Sequence, residues 1–252
     1  MEKCVTRFSL KNISKIFFKK NEDAHVIEDI SLDVYDNEFL VILGPGQCGK
    51  TTLLNIVADL LPKTKGEVIF NFEEDTDPGK LGFIFQRYAL FPWKTVMQNV
   101  EMGLKLRGKN KKERRVKSQE YIDMVGLQGF EKSHPKQLSG GMKQRVGIAR
   151  VFATDAHVIL MDEPFGALDA QTRYQMQGEL SNIWEHKKKT IVFVTNNIEE
   201  AIYLADRIIL LSGAPSKVKA EYNIKLSRPR SLTNNDFLEL RNTIAKNTDL
   251  VL

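Results

Sequence analysis

Phe39-Leu40-Val41-Ile42-Leu43-Gly44-Pro45-Gly46-Gln47-Cys48-Gly49-Lys50-Thr51-Thr52-Leu53-Leu54-Asn55-Ile56-Val57-Ala58 decides the fold. An apolar run of strand length leads into Gly-x-x-x-x-Gly-Lys-Thr and a helix-like run follows, which is the setting in which this pattern cradles phosphate. Residues without a Cβ let successive backbone N–H groups curl round an anion, and the following helix presents its positive end. Gly44, Pro45, Gly46, Gln47, Cys48, Gly49, Lys50, Thr51 and Thr52 are therefore candidate nucleotide-binding residues. Lys50 reaches the β- and γ-phosphates as a mobile charge, and the Thr51 hydroxyl is a candidate magnesium ligand.

Outward from this loop, composition sets the frame. With 252 residues, 42% hydrophobic and 27% charged, the chain can bury a core as one large domain or two small ones. Its two cysteines, Cys4 and Cys48, make no disulfide framework and point to a reducing compartment. Cys48 reads as a small loop filler or, near a helix N-terminus, as a reactive thiol. No apolar run approaches the ~20 residues needed to span a bilayer, and the N-terminus lacks the apolar segment of a signal peptide. The net charge of +5 is densest from Lys105 to Lys117. That run reads as a solvated helix face, with an anionic lipid surface or nucleic acid as alternatives.

Upstream of the loop, Phe8 to Ile13 and Val26 to Val34 read as strands joined by the polar loop Lys19 to Asp23, and Phe17 or Phe18 is placed to stack on an adenine or to pack in the core. Downstream, a helix from Lys50 to Leu61 ends at Pro62, and Gly66 leads into a strand at Glu67 to Phe70. A polar turn, Glu73 to Gly79, precedes the apolar run Leu81 to Phe85, which terminates in Gln86. In parallel α/β sheets ligands lie beyond the carboxyl ends of strands, so Gln86 is a candidate for metal or water. Val96, Val100, Leu104 and then Tyr121, Met124 and Val125 recur at helical spacing, which predicts a helical insertion between Arg87 and Pro135.

Ser139-Gly140-Gly141 opens a helix through Phe152 with a capping hydroxyl and open N–H groups, a second anion site. The apolar strand Val158 to Met161 ends in Asp162-Glu163, a carboxylate pair suited to magnesium (Asp162) and to polarising an attacking water (Glu163). A strand at Thr190 to Thr195 runs through Asn196-Asn197 into a helix from Ile198 to Asp206, and Arg207 to Leu211 forms a further strand. The polar tail holds one amphipathic helix, Asn235 to Lys246, with Phe237, Leu240 and Ile244 on one face.

In register, GPGQCGKTT (44–52), FIFQ (83–86), LSGGMKQR (138–145), VILMDEP (158–164) and Ala167-Leu168-Asp169 resemble the ordered motifs of ATP-binding-cassette ATPases of importers, over nearly the whole chain. The resemblance implies an α/β P-loop NTPase (RecA-like) core with an N-terminal antiparallel β subdomain and an inserted helical subdomain at 87–137; 213–252 would be a C-terminal tail. It also implies ATP and Mg2+ as ligands. In its terms Phe17 is the adenine-stacking aromatic, Gln86 the glutamine that senses magnesium and the interface, and Asp169 a dimer contact. Ser139, Gly140 and Gly141 would close over the nucleotide of a second subunit.

Tyr88-Ala89-Leu90-Phe91-Pro92-Trp93, the stretch from Asp162 to Ala170 and Ser227-Arg228-Pro229-Arg230 are similar to the nitrate, sulfonate and taurine branch. Membership implies a peripheral subunit at the cytoplasmic face of the membrane, paired with a like or paralogous second ATPase. Its partners would be integral-membrane permease subunits and, indirectly, an extracytoplasmic substrate-binding protein, with no nucleic acid. A DNA-repair or chromosome-organising ATPase would need heptad-patterned arms, and none is present; a regulatory module without turnover is the remaining alternative.

Two departures stand out. Gly46-Gln47 replaces the family's Ser-Gly, which asks Gln47 to sit in a tight anion cradle. Asn196-Asn197 replaces His-Asp, so Asn196 either meets the γ-phosphate as a weaker donor, with slow hydrolysis, or caps the helix that follows.

Overall fold

The computed structural model describes residues 5–18, 22–72 and 81–248. Cys4, Lys19 and the predicted turn Glu73 to Gly79 lie outside them. In chain order the elements are β1 (Thr6–Phe17), β2 (Ala24–Tyr35), β3 (Phe39–Leu43), α1 (Lys50–Val57), β4 (Lys65–Phe70), β5 (Leu81–Ile84), α2 (Val96–Leu106) and α3 (Lys111–Met124). Then follow α4 (Gly140–Phe152), β6 (Val158–Asp162), α5 (Ala170–Lys187), β7 (Thr190–Thr195), α6 (Ile198–Leu204), β8 (Arg207–Leu211), β9 (Val218–Asn223) and α7 (Asn235–Asn247). They form two compact units, Met1–Asp75 with Lys188–Leu252, and Thr76–Lys187.

In the first unit β1 pairs antiparallel with β2 on one side and β4 on the other. The β1–β4 register slips between Lys11 and Ser14, where Asn12 takes a φ of 50°. Gly66 opposite has a φ of 89°, and a Cβ there would stand 2.4 Å from the Lys11 and Asn12 carbonyl oxygens. Glycine is required by this bulge. β3 lies between β7 and β8, parallel to both, and β9 adds antiparallel to β8. Every residue of β3, β7 and β8 is buried, as expected of parallel strands covered on both faces, and this is why they read as unbroken apolar runs. β9 carries only exposed and half-buried residues, which is why it reads as polar tail in the sequence.

Helix α1 stops four residues short of the predicted Leu61. Asp59 turns left-handed (φ 56°), its N–H donates to the Ile56 carbonyl and that of Leu60 to the Asn55 carbonyl. This is a Schellman finish with aspartate in glycine's usual place. Helix α7 buries Phe237 and Ile244 as its periodicity predicts.

In the second unit β5 and β6 run parallel, and α2, α3 and α4 pack on one another around Val96, Val100, Leu104, Tyr121 and Val125. Thr95 and Gln98 form a capping box at the start of α2. The basic run spans the end of α2, the link after it and the first half of α3: Lys105, Lys109, Lys111, Lys112 and Arg115 are exposed, while Lys117 pairs with Asp155. The longest helix, α5, was not predicted, although Met176, Leu180, Ile183 and Trp184 mark its buried face at helical spacing.

Candidate functional site

The phosphate loop leaves β3 at Leu43 and enters α1 at Lys50. Gly49 takes a φ of 103°, and a Cβ on it would stand 2.9 Å from Val26; one on Gly44 would stand 2.9 Å from the Cys48 sulfur. Both glycines are therefore fixed by close approach. Gln47 is left-handed as well (φ 63°) although it carries a Cβ, whereas Gly46 has open space around its Cβ position. Position 47 thus needs glycine's freedom and lacks it, and position 46 has it without need. Cys48 is 1% exposed, which makes it a packed filler and no reactive thiol. The Lys50 ammonium is buried and donates to the carbonyls of Gly44 (2.9 Å) and Pro45 (2.8 Å), which draws the loop over the helix start. Gly49 provides no capping side chain and no acid lies in the first turn of α1, so the N–H groups there face an anion unopposed.

Also in the first unit, Phe17 is half-buried at the end of β1 with the Lys15 ammonium 4.8 Å from its ring centroid, while Phe18 is 73% exposed. Asn196 is exposed in the two-residue link between β7 and α6. It does not cap α6. That role falls to Asn197, whose side-chain oxygen accepts from the Glu200 N–H at 2.9 Å.

In the second unit, β6 delivers Asp162, buried, and Glu163, half-buried, in succession. Glu163 has a φ of 39°, a strained conformation for a residue with a Cβ, and its carboxylate accepts from the Gln86 amide at 3.5 Å. Gln86 is exposed just past the end of β5. The Ser139 hydroxyl accepts from the Met142 N–H at 3.2 Å and caps α4. A Cβ on Gly140 would stand 2.8 Å from the Tyr88 hydroxyl, and one on Gly141 2.8 Å from a methyl of Thr172. The two glycines thus let Tyr88 and α5 close on the start of α4. Asp169 accepts from the Thr172 N–H at 3.0 Å, and this bond holds its exposed carboxyl below the usual aspartate range.

The segment after Gln86 is partly buried. Tyr88 packs at Gly140, and Phe91 is half-buried with the Arg150 guanidinium 5.9 Å and the Trp93 ring 5.8 Å from its centroid. Two residues that the sequence reading passed over hold this segment. Asn99, fully buried, accepts from the Phe91 N–H (2.9 Å) and donates to the carbonyls of Phe91 (3.2 Å) and Lys94 (3.1 Å). Arg150 donates to the Ala89 carbonyl at 2.9 Å, and burial lowers its pKa. Polar residues on helices ordinarily face water, so neither carried a signal. Trp93, at 71% exposure, is the aromatic that remains open.

Thr51, Gln86 and Asp162 each offer oxygen, the donor type magnesium takes. Among the described residues no group of three or more His, Cys, Asp or Glu forms a side-chain cage. Each of Thr51, Gln86 and Asp162 supplies the hard oxygen donor that magnesium takes alongside phosphate oxygens.

The chain matches the family model described as ABC transporter over residues 27–166. It is 48% identical over 239 residues to an uncharacterized ABC transporter ATP-binding protein of Methanocaldococcus jannaschii, covering 94% of this chain and 90% of that protein. It is 46% identical over 237 residues to the aliphatic sulfonates import ATP-binding protein SsuB of Bacillus cereus, covering 94% and 93%. Among solved structures, the dimeric structure of MJ0796, a bacterial ABC transporter cassette, aligns with a TM-score of 0.75 at 35% identity, covering 87% of this chain and 100% of that one. A dimeric post-hydrolysis state of the same cassette, bound to ADP and Pi, aligns with a TM-score of 0.75 at 34% identity. Phosphate loop, carboxylate-ended strand, Ser-Gly-Gly helix and whole-length likeness agree, and the chain belongs to the ABC transporter family as an ATP-binding, ATP-hydrolysing subunit.

Proposed function

We propose that this subunit energises uptake of a small sulfonate-like solute, of the nitrate, sulfonate and taurine kind, through a membrane permease at whose cytoplasmic face it sits. The observation that carries the reading is the 46% identity to SsuB across 94% of the chain. Among the described residues no helix is long and apolar enough to cross a membrane, and the reading assigns the path to a permease. Residues 87–137 act as the helical subdomain that meets the permease, and 213–252 as the tail. The test is complementation: the chain, expressed with its permease in cells lacking their own sulfonate-import ATPase, restores growth on an alkanesulfonate as sole sulfur source. Growth restored on a different oxyanion alone would reassign the solute.

In the reaction, Phe17 stacks on the adenine, and the amides of 46–50 with the Lys50 ammonium hold the phosphates. Thr51, Gln86 and Asp162 are the residues that would hold magnesium, and the ion would supply neutralisation of phosphate charge. Glu163, aimed by its strained backbone, orients the attacking water, and Gln86 reports to the interface through its contact with Glu163. Asn196 donates to the γ-phosphate more weakly than an imidazolium would, which makes turnover slow. Ser139, Gly140 and Gly141 close over the nucleotide of a second subunit, like or paralogous, with Asp169 at the contact. Replacing Glu163 with glutamine stops turnover while ATP still binds.

A further inference from the structure

We propose that Arg230 is a positioning residue for hydrolysis: it grips the C-terminal end of α6 and thereby sets the place of Asn196 at the other end. The inference rests on the reading of Asn196 as a γ-phosphate contact.

Helix α6 has only seven residues, too few to be stable on propensity alone, so whatever holds its two ends decides where it lies. Its N-terminal end is tied to β7. The Asn197 N–H donates to the Thr195 hydroxyl at 3.0 Å and the Asn197 side chain caps the first turn. Asn196 lies inside this two-residue link, so a shift of α6 is handed to it directly.

The C-terminal end of a helix leaves its last carbonyls without intrahelical partners. Here the tail supplies them. Arg230 is 7% exposed, and its Nη1 donates to the carbonyls of Ile202 (2.6 Å), Tyr203 (3.1 Å) and Ala205 (2.6 Å), while its Nε donates to the Leu226 carbonyl at 3.1 Å. Arg228 takes the carbonyl between, that of Leu204, and reaches Asp206 at 2.6 Å; the other Asp206 oxygen accepts from the Phe39 N–H at 3.0 Å, where β3 begins. Outside, Arg241 of α7 pairs with Glu199 in the first turn of α6 at 3.0 Å. Two guanidinium groups therefore fasten a run of four carbonyls and link them to the strand that feeds the phosphate loop. Positive charge at a helix C-terminus is favourable, and the planar fork of arginine is the shape that reaches several carbonyls at once, which an ammonium does not reproduce. Ser227-Arg228-Pro229-Arg230 is, in this account, part of the nucleotide-responsive machinery although it lies far along the chain from it.

The test is steady-state ATP hydrolysis by the full chain carrying Arg230→Gln, Asn196→Ala or both. Arg230→Gln is expected to lower kcat about tenfold while KM for ATP stays within about twofold, because misplacing a group costs rate and leaves ground-state binding. In the Asn196→Ala background the same change is expected to add nothing. Arg230→Lys should restore little. Unchanged kcat for Arg230→Gln, or equal effects in both backgrounds, overturns the inference. If Asn196→Ala alone leaves turnover intact, the reading of Asn196 fails and takes the inference with it. Should Arg230→Gln not fold, Arg241→Gln decides on the exposed side of α6: a kcat fall of about twofold to threefold confined to the Asn196 background supports the proposal, and no fall overturns it.

Discussion

Gln47 and Gly46 each hold the backbone conformation that suits the other. A left-handed residue with a Cβ costs about 1–2 kcal/mol relative to glycine, and glycine's extra freedom in the unfolded chain returns about 0.5–1 kcal/mol of that. Gln47→Gly should therefore stabilise by about 0.5–1 kcal/mol, and Gly46→Ser, with open space at its Cβ, should add a few tenths by stiffening the unfolded chain. Urea unfolding of the double exchange checks this; a loss of stability would mean that Gln47 makes a compensating contact. Asn196 is the second residue that matters singly. With the cap of α6 assigned to Asn197, nothing structural ties Asn196 to its own side chain. Asn196→His should raise turnover of the assembled transporter by roughly tenfold or more, since a donor at a developing charge is worth on the order of 10²-fold. Unchanged fast turnover would sink the lost-contact account.

Among the elements, α6 and the segment after Gln86 are both held by groups that sequence does not advertise. Asn197→Ala removes the cap of a seven-residue helix and should cost about 1 kcal/mol, read as a lowered urea midpoint with unchanged slope. An equal cost from Asn196→Ala would contradict the cap assignment. The segment after Gln86 divides into an inner and an outer part. Tyr88 and Phe91 pack inward against Gly140 and Arg150, whereas Trp93 stands 71% exposed. Exposed aromatics beside rigidly tied backbone suit an interface anchor. Trp93→Ala should leave folding and ATP affinity intact and abolish co-purification with the permease; an unfolded Trp93→Ala chain would show that the ring packs inward after all.

At the scale of the whole molecule, each chain carries two helix starts without an acid in the first turn, that of α1 behind Gly49 and that of α4 behind Ser139, which the proposed function uses as anion sites. The related cassette MJ0796 has been solved as a dimer, and also as a dimeric post-hydrolysis state bound to ADP and Pi. For this chain Glu163→Gln, which keeps the amide contact with Gln86 but removes the base, should run as a dimer on sizing chromatography in saturating magnesium-ATP and as a monomer without nucleotide. A monomer under both conditions would count against nucleotide as the glue between subunits.

What the sequence determined by itself is whatever depends on composition or local spacing. β3, β6, β7 and β8 are legible because strands buried on both faces must be apolar throughout, and the phosphate loop is legible because its glycines and Lys50 serve a backbone cradle a few residues long. The tertiary structure decided everything that needs a distant partner. Gly66 is required by the carbonyls of Lys11 and Asn12, and Gly140 by the hydroxyl of Tyr88. Asn99 and Arg230 look like solvated polar residues until the groups they bind are brought beside them. The same holds for α5, where buried Gln177 and Ser181 interrupt the apolar face and dilute its periodicity. A buried polar residue and an exposed one are identical as letters; only the fold supplies the hydrogen-bond partner that makes burial affordable in free energy.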